Sequence, residues 1–146
     1  MFGSHRNSAK AYGNVGLETG ISTASPHQLI TILLEGALLA IVVAKQNMLA
    51  GNIAEKGAAI SKAILFIDSG LRGGLNMKDG GDLAGTLDSL YGYMCQLLAQ
   101  AHAKNEPTML DEVYSLLFDI KSSWDAIGPY AQNNTTAQPG TTFHTV

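Results

Sequence analysis

Side chains able to carry catalysis or hold a metal are sparse in this chain. There is one cysteine, Cys95, and there are four histidines. Cys95 and a histidine could form a nucleophilic pair, but such a pair needs a third group to orient the base, and none is evident. Cys95 also falls on an apolar helical row with Ala84, Tyr91 and Leu98, where burial would raise its pKa and keep the thiol protonated. His102 with a methionine could ligate a non-covalent haem, yet a single histidine near a helix end more often caps the helix or stays solvated. Covalent haem requires Cys-x-x-Cys-His, and a di-iron bundle requires Glu-x-x-His on facing helices; neither string occurs. Two Asn-x-Thr sequons, starting at Asn133 and Asn134, lie in a polar tail and carry little weight. These residues point to a non-enzyme with no metal and no cofactor, whose work is binding.

Charge restricts what it binds. Only 14% of residues are charged, against roughly 25% in an average soluble domain. Nine basic and 12 acidic residues give a net charge of −3, and the basic ones are scattered. Phosphate backbones need clustered Lys and Arg, so nucleic acid is set aside. A lone cysteine excludes an internal disulfide and fits a reducing compartment. Residues 1–10 are polar and lack the apolar centre of a secretory signal, so cytoplasmic residence is expected. The most apolar run, Leu29 to Ala44, contains Glu35 and falls short of the ~20 apolar residues of a membrane span. A buried core helix is expected there.

Binding needs a scaffold, and the apolar spacing supplies one. Four stretches repeat at alternating steps of three and four: Ile30, Leu34, Ala37, Ile41, Ala44, Met48; Ile53, Gly57, Ile60, Ile64, Ile67, Leu71; Leu83, Leu87, Leu90, Met94, Leu97, Ala101; and Leu110, Val113, Leu117, Ile120, Trp124, Ile127. That rhythm keeps one face of a 3.6-residue helix turned toward a partner. The fold class expected is all-α, an antiparallel up-down-up-down four-helix bundle. Ser25, Pro26 and Gln28 read as a capping box opening helix one, and Gly51-Asn52 closes it. Helix two runs from Ile53 to about Gly70, weakened by Gly70, Gly73 and Gly74. Helix three runs from about Asp82 to Lys104. Pro107 and a Thr108/Asp111 capping pair open helix four, which Gly128-Pro129 stops. The expected organisation is an arm over 1–24, a bundle over 25–128 and a disordered tail over 129–146.

The stripes leave apolar residues over. Helix one has second and third rows at Leu29, Leu33, Ala40, Val43 and at Ile32, Leu39, Val42. Helix two adds Ala59, Ala63 and Phe66; helix three adds Ala84, Tyr91, Cys95 and Leu98. A helix apolar on several sides must be covered on several sides. The cover is a partner's amphipathic helix in a hydrophobic groove, a second copy of the chain, or the chain's own thick core with the arm folded over it.

Ala11-Tyr12-Gly13 through Thr23-Ala24-Ser25-Pro26-His27-Gln28-Leu29-Ile30, then Leu33-Leu34-Glu35-Gly36-Ala37-Leu38, resembles the opening of the flagellin export chaperones, the FliS family. Gly80-Gly81-Asp82-Leu83-Ala84 and Leu90-Tyr91-Gly92-Tyr93-Met94 are similar to that family's third-helix motif. Lys62-Ala63, Gly70-Leu71-Arg72, Glu112-Val113 and Ser123-Trp124 extend the likeness over residues 9 to 127. The resemblance implies a small cytosolic helical bundle that binds the C-terminal region of newly made flagellin and prevents premature polymerisation before type III flagellar secretion. It implies Tyr12 as an arm tyrosine that can occupy part of the client groove, with Leu17 beside it on the arm. The remaining candidate groove residues are Leu29 and Leu33 of helix one and Phe66 of helix two. Helix three contributes Ala84, Leu87, Tyr91, Met94 and Leu98. Export machinery and a flagellar regulator are candidate further partners, and the chain is expected as a monomer or weak dimer. The rival reading is a structural or regulatory bundle dimer without a client.

Overall fold

The computed structural model describes residues 24–128, and every regular element among them is helical. Helix α1 spans Pro26–Ala50. Helix α2 spans Ile53–Ile64 and continues as a π-helical segment, Leu65–Arg72. Helix α3 spans Gly81–Lys104 and α4 spans Pro107–Ile127. Leu33–Gly128 forms one unit; outside it, residues 24–32 make the cap and first turns of α1.

Local chemistry explains the ends. The Gln28 amide donates to Ser25 Oγ at 3.1 Å and the Ser25 amide donates to Gln28 Oε1 at 2.9 Å, so the capping box forms reciprocally. Asn105, at φ 54°, ends α3 in the left-handed conformation that asparagine tolerates. The expected Thr108/Asp111 capping pair does not form. Pro107 starts α4 one residue after Glu106, so Thr108 lies inside the first turn and its hydroxyl donates to Glu106 Oε1. The glycine-rich end of helix two is remodelled: the Gly73 amide donates to the Asp68 carbonyl, five residues back, at 2.9 Å. A Cβ on Gly73 would collide with the Ser69 carbonyl, so glycine permits this wider turn.

Pairings between helices fix the topology. In α1 and α2, Leu33 meets Gly70 and Gly36 meets Phe66, so one chain ascends as the other descends. Lys56 reaches His102 and Asn105 while Arg72 reaches Asp88, which sets α2 and its continuation antiparallel to α3. Lys45 pairs with Asp111 and Glu35 with Lys121, so α4 runs antiparallel to α1. A turn at Asn105 and Glu106 folds α4 back along α3. The result is the up-down-up-down bundle.

Its centre holds Leu34, Ile41, Ile67, Leu71, Met94, Leu98, Leu110 and Leu117, each fully buried. Burial of a leucine or isoleucine contributes about 1.5–3 kcal/mol, which makes this seam the main source of cohesion. Two expected seam residues lie outside it. Ile53 is 71% exposed and Leu83 is 65% exposed, because each sits in the first turn of its helix and the next inward position belongs to another residue. In α2 that residue is Lys56, whose stem is buried and whose Nζ donates to the His102 carbonyl and to Asn105 Oδ1, capping the C-terminus of α3. In α3 the buried residues are Ala84, Tyr91, Met94, Leu97, Leu98 and Ala101, so Met94, Leu97 and Ala101 of the expected stripe lie in the core and the surplus residues Ala84, Tyr91 and Leu98 join them. Helix α1 also departs from expectation. At 25 residues it is long and apolar enough to cross a membrane, and only 33% of its most apolar stretch is buried. Its face through Leu34, Ala37, Ile41, Ala44 and Met48 is buried in the core, while Leu39, Val42 and Val43 on its other sides stay exposed.

Candidate functional site

The uncovered side of α1 has a definite shape. Gly36, Ala40, Val43 and Asn47 recur at steps of four, three and four along the flank of α1 that faces α2, and Ala58, Ala59, Lys62 and Phe66 answer from the other side. Small side chains on both flanks are too short to fill the space between the two helices. They leave an open cavity of about 460 Å³ between α1 and α2. Leu39 and Val43 stand at its edge, with Leu39 64% exposed. Phe66 closes one end. Its ring lies so near Gly36 that an added Cβ would sit 2.9 Å from Cζ, so the missing side chain lets the ring tuck under α1. The trench is apolar-floored and needs an apolar occupant to be dry.

Its rim is polar. Glu55 and Lys62 line the α2 side, both exposed, and neither forms an ion pair among the described residues. On the other flank of α1, partly exposed Val42 shares a side with the ion pairs to α4. There Tyr114 and Phe118 stack with ring centroids 6.3 Å apart, Phe118 being half exposed. Apolar surface therefore continues around α1 from α2 to α4.

The remaining polar groups are structural. Arg72 Nε donates to Asp88 Oδ1 at 2.8 Å, and that hydrogen bond holds the Asp88 carboxyl below the usual carboxylate range. Tyr93 donates to Glu112 across α3 and α4, a bond that raises the Tyr93 phenol. Burial pushes the Tyr91 phenol up to about 12. Burial also raises the Cys95 thiol, the opposite of what a nucleophile needs. A smaller hollow of about 280 Å³ lies beside Lys56 and Asn105 at the α1–α2 turn. The ammonium there already serves α3. Among the described residues, no three His, Cys, Asp or Glu side chains gather as a metal site requires.

Of the groove residues read from the sequence, Phe66 lines the trench. Leu33 packs on Gly70 just beyond the Phe66 end, while Leu29 lies half-buried in the first turns of α1, outside the unit. Leu87 is half-buried on α3, and Ala84, Tyr91, Met94 and Leu98 face the bundle interior. Tyr12 and Leu17 lie outside the described residues. Residues passed over as site candidates are Gly36, Leu39, Ala40, Val43, Ala58 and Ala59. Four of them, Leu39, Ala40, Val43 and Ala59, stood on the surplus rows, so the signal was present.

Comparison with known proteins places the chain. The family model described as flagellar protein FliS matches residues 8–131. The flagellar secretion chaperone FliS of Vibrio cholerae is 43% identical over 135 residues, covering 92% of this chain and 98% of the relative. That of Salmonella typhimurium is 43% identical over 122 residues, covering 84% and 90%, and the flagellar secretion chaperone FliSB of Pseudomonas aeruginosa is 45% identical over 118 residues, covering 81% and 93%. A helical bundle with an open apolar trench, matched along nearly its whole length by these proteins, belongs to the FliS family.

Proposed function

We propose that this chain is a cytoplasmic export chaperone that binds the C-terminal segment of flagellin and keeps it from polymerising before secretion through the flagellar type III apparatus. The observation that carries this reading is the trench between α1 and α2, an apolar surface that the bundle leaves open beside a 64%-exposed leucine. The relatives' names as flagellar secretion chaperones support it.

The physics is coupled folding and binding. A subunit segment that forms a helix only against filament neighbours is unfolded in the monomer, and a chaperone that supplies the neighbour's apolar surface orders it early. Ordering opposes binding, and burial of apolar area at about 25 cal/mol per Å² offsets it when the contact is long. A segment held in the trench is withheld from filament contacts.

Sedimentation of the full chain mixed with monomeric flagellin, followed by seeded polymerisation, tests the proposal. A one-to-one complex and suppressed filament growth are expected. A tight homodimer that leaves filament growth unchanged would overturn it in favour of a clientless dimer.

A further inference from the structure

The trench rim carries two charges that enter no ion pair among the described residues. Glu55 and Lys62 stand on its α2 rim, seven residues apart, which is about 10.5 Å along a helix. Every other rim or floor residue is uncharged. Among the described residues the ion pairs engage Lys45, Arg72 and Lys121 with Asp111, Asp68, Asp88, Glu35 and Asp125, and neither rim charge takes part. Glu55 lies in the first turn of α2, where a carboxylate meets the positive end of the helix dipole. Lys62 has no such role, because the helical run continues past it to Arg72. A cation and an anion spaced by two turns beside an apolar floor form a complementary edge for a helix of matching charge.

We infer that the rim selects a helical client segment whose apolar stripe is flanked by one anionic and one cationic residue about two turns apart, paired with Lys62 and Glu55. The inference rests on the trench being the client site and adds the chemistry that site reads. The pairs bridge the edge of the interface, so they act on selection and on encounter more than on gross affinity. Their influence weakens with salt.

The test uses full-length protein and three capped helical peptides of about 18 residues that share one leucine stripe. They differ only at two flanking positions seven residues apart, which carry Lys with Glu, Glu with Glu, or Lys with Lys. Calorimetry at low salt is expected to show the mixed-charge peptide binding about fivefold tighter than either like-charge peptide. That preference shrinks to within about twofold near 0.5 M salt. Glu55→Lys makes both rim charges positive, and the doubly acidic peptide becomes the tightest ligand. Equal binding of all three peptides to both proteins, abolished by Leu39→Asp in the trench, overturns the charge selection and leaves the trench reading intact. If no peptide binds while flagellin still does, both the selection and the placement of the client in this trench are wrong.

Discussion

Two hairpins of the bundle begin alike and end differently. At the α3–α4 junction, Met94, Leu97, Leu98 and Ala101 face Leu110, Val113 and Leu117, all buried. At the α1–α2 junction, Gly36 and Ala40 face Ala58 and Ala59, and a cavity of about 460 Å³ stays open. Each junction turns at a short break, Asn105–Glu106 in one and Gly51–Asn52 in the other. Topology is shared, so side-chain size decides which junction seals. Large residues at facing positions interlock into a core, whereas small ones between larger apolar neighbours leave a trench that is still greasy.

If the closed junction holds the fold and the open one does not, variants in the two places must separate. The largest expected effect is at the closed seam. Leu117→Ala removes a fully buried side chain and should lower unfolding free energy by about 2–5 kcal/mol in a denaturant titration. A loss below about 1 kcal/mol would show that this junction is looser than its burial implies. A smaller effect sharpens the same contrast through pH. The fold holds the Tyr91 phenol neutral, pushed up to about 12 from an ordinary 10.0 by burial. Above pH 10 the unfolded chain releases a proton that the folded chain keeps. Stability present below that pH is therefore lost as pH climbs toward 12, by roughly 2–3 kcal/mol. Tyr91→Phe should remove that alkaline loss while changing neutral-pH stability by less than about 1 kcal/mol. An unchanged alkaline limb would place the phenol in solvent.

The sequence made the bundle readable because periodicity reports which face of a helix is apolar. Capping at Ser25 and Gln28, the break at Gly51, and the antiparallel order all follow from residue types and short connections. Phase was harder. In α3 two adjacent rows, one through Leu83, Leu90 and Leu97 and one through Ala84, Tyr91 and Leu98, are both apolar, and spacing alone does not say which turns inward. The structure buries Ala84, Tyr91 and Leu98 of the second and Leu97 of the first, with Leu90 half-buried and Leu83 exposed, so the core face spans both rows. Gly70, Gly73 and Gly74 marked only a weak end to helix two, and the π-helical segment, with its hydrogen bond from Gly73 to Asp68, depends on a steric fact at Gly73 that no periodicity encodes. The trench was legible only as surplus. An excess of apolar rows on α1 signalled an open face, yet the gap itself arises from alanines and glycines across two helices, a property of pairs that a single stripe does not reveal. The resemblance to FliS pointed to a client groove, and of the candidate residues on α3 Ala84, Tyr91, Met94 and Leu98 pack the interior while Leu87 is half-buried.

The central claim is that client binding belongs to the open junction and stability to the closed one. Leu39→Asp places a carboxylate at the trench edge, at a position already 64% exposed, where a bound apolar helix would have to desolvate it. Calorimetric titration of a C-terminal flagellin fragment into the wild-type chain and this variant, with a thermal melt of each, measures both halves together. The account predicts affinity reduced by about a hundredfold or more with the melting midpoint unchanged within about 2 °C. Wild-type affinity in a variant that melts normally would contradict it.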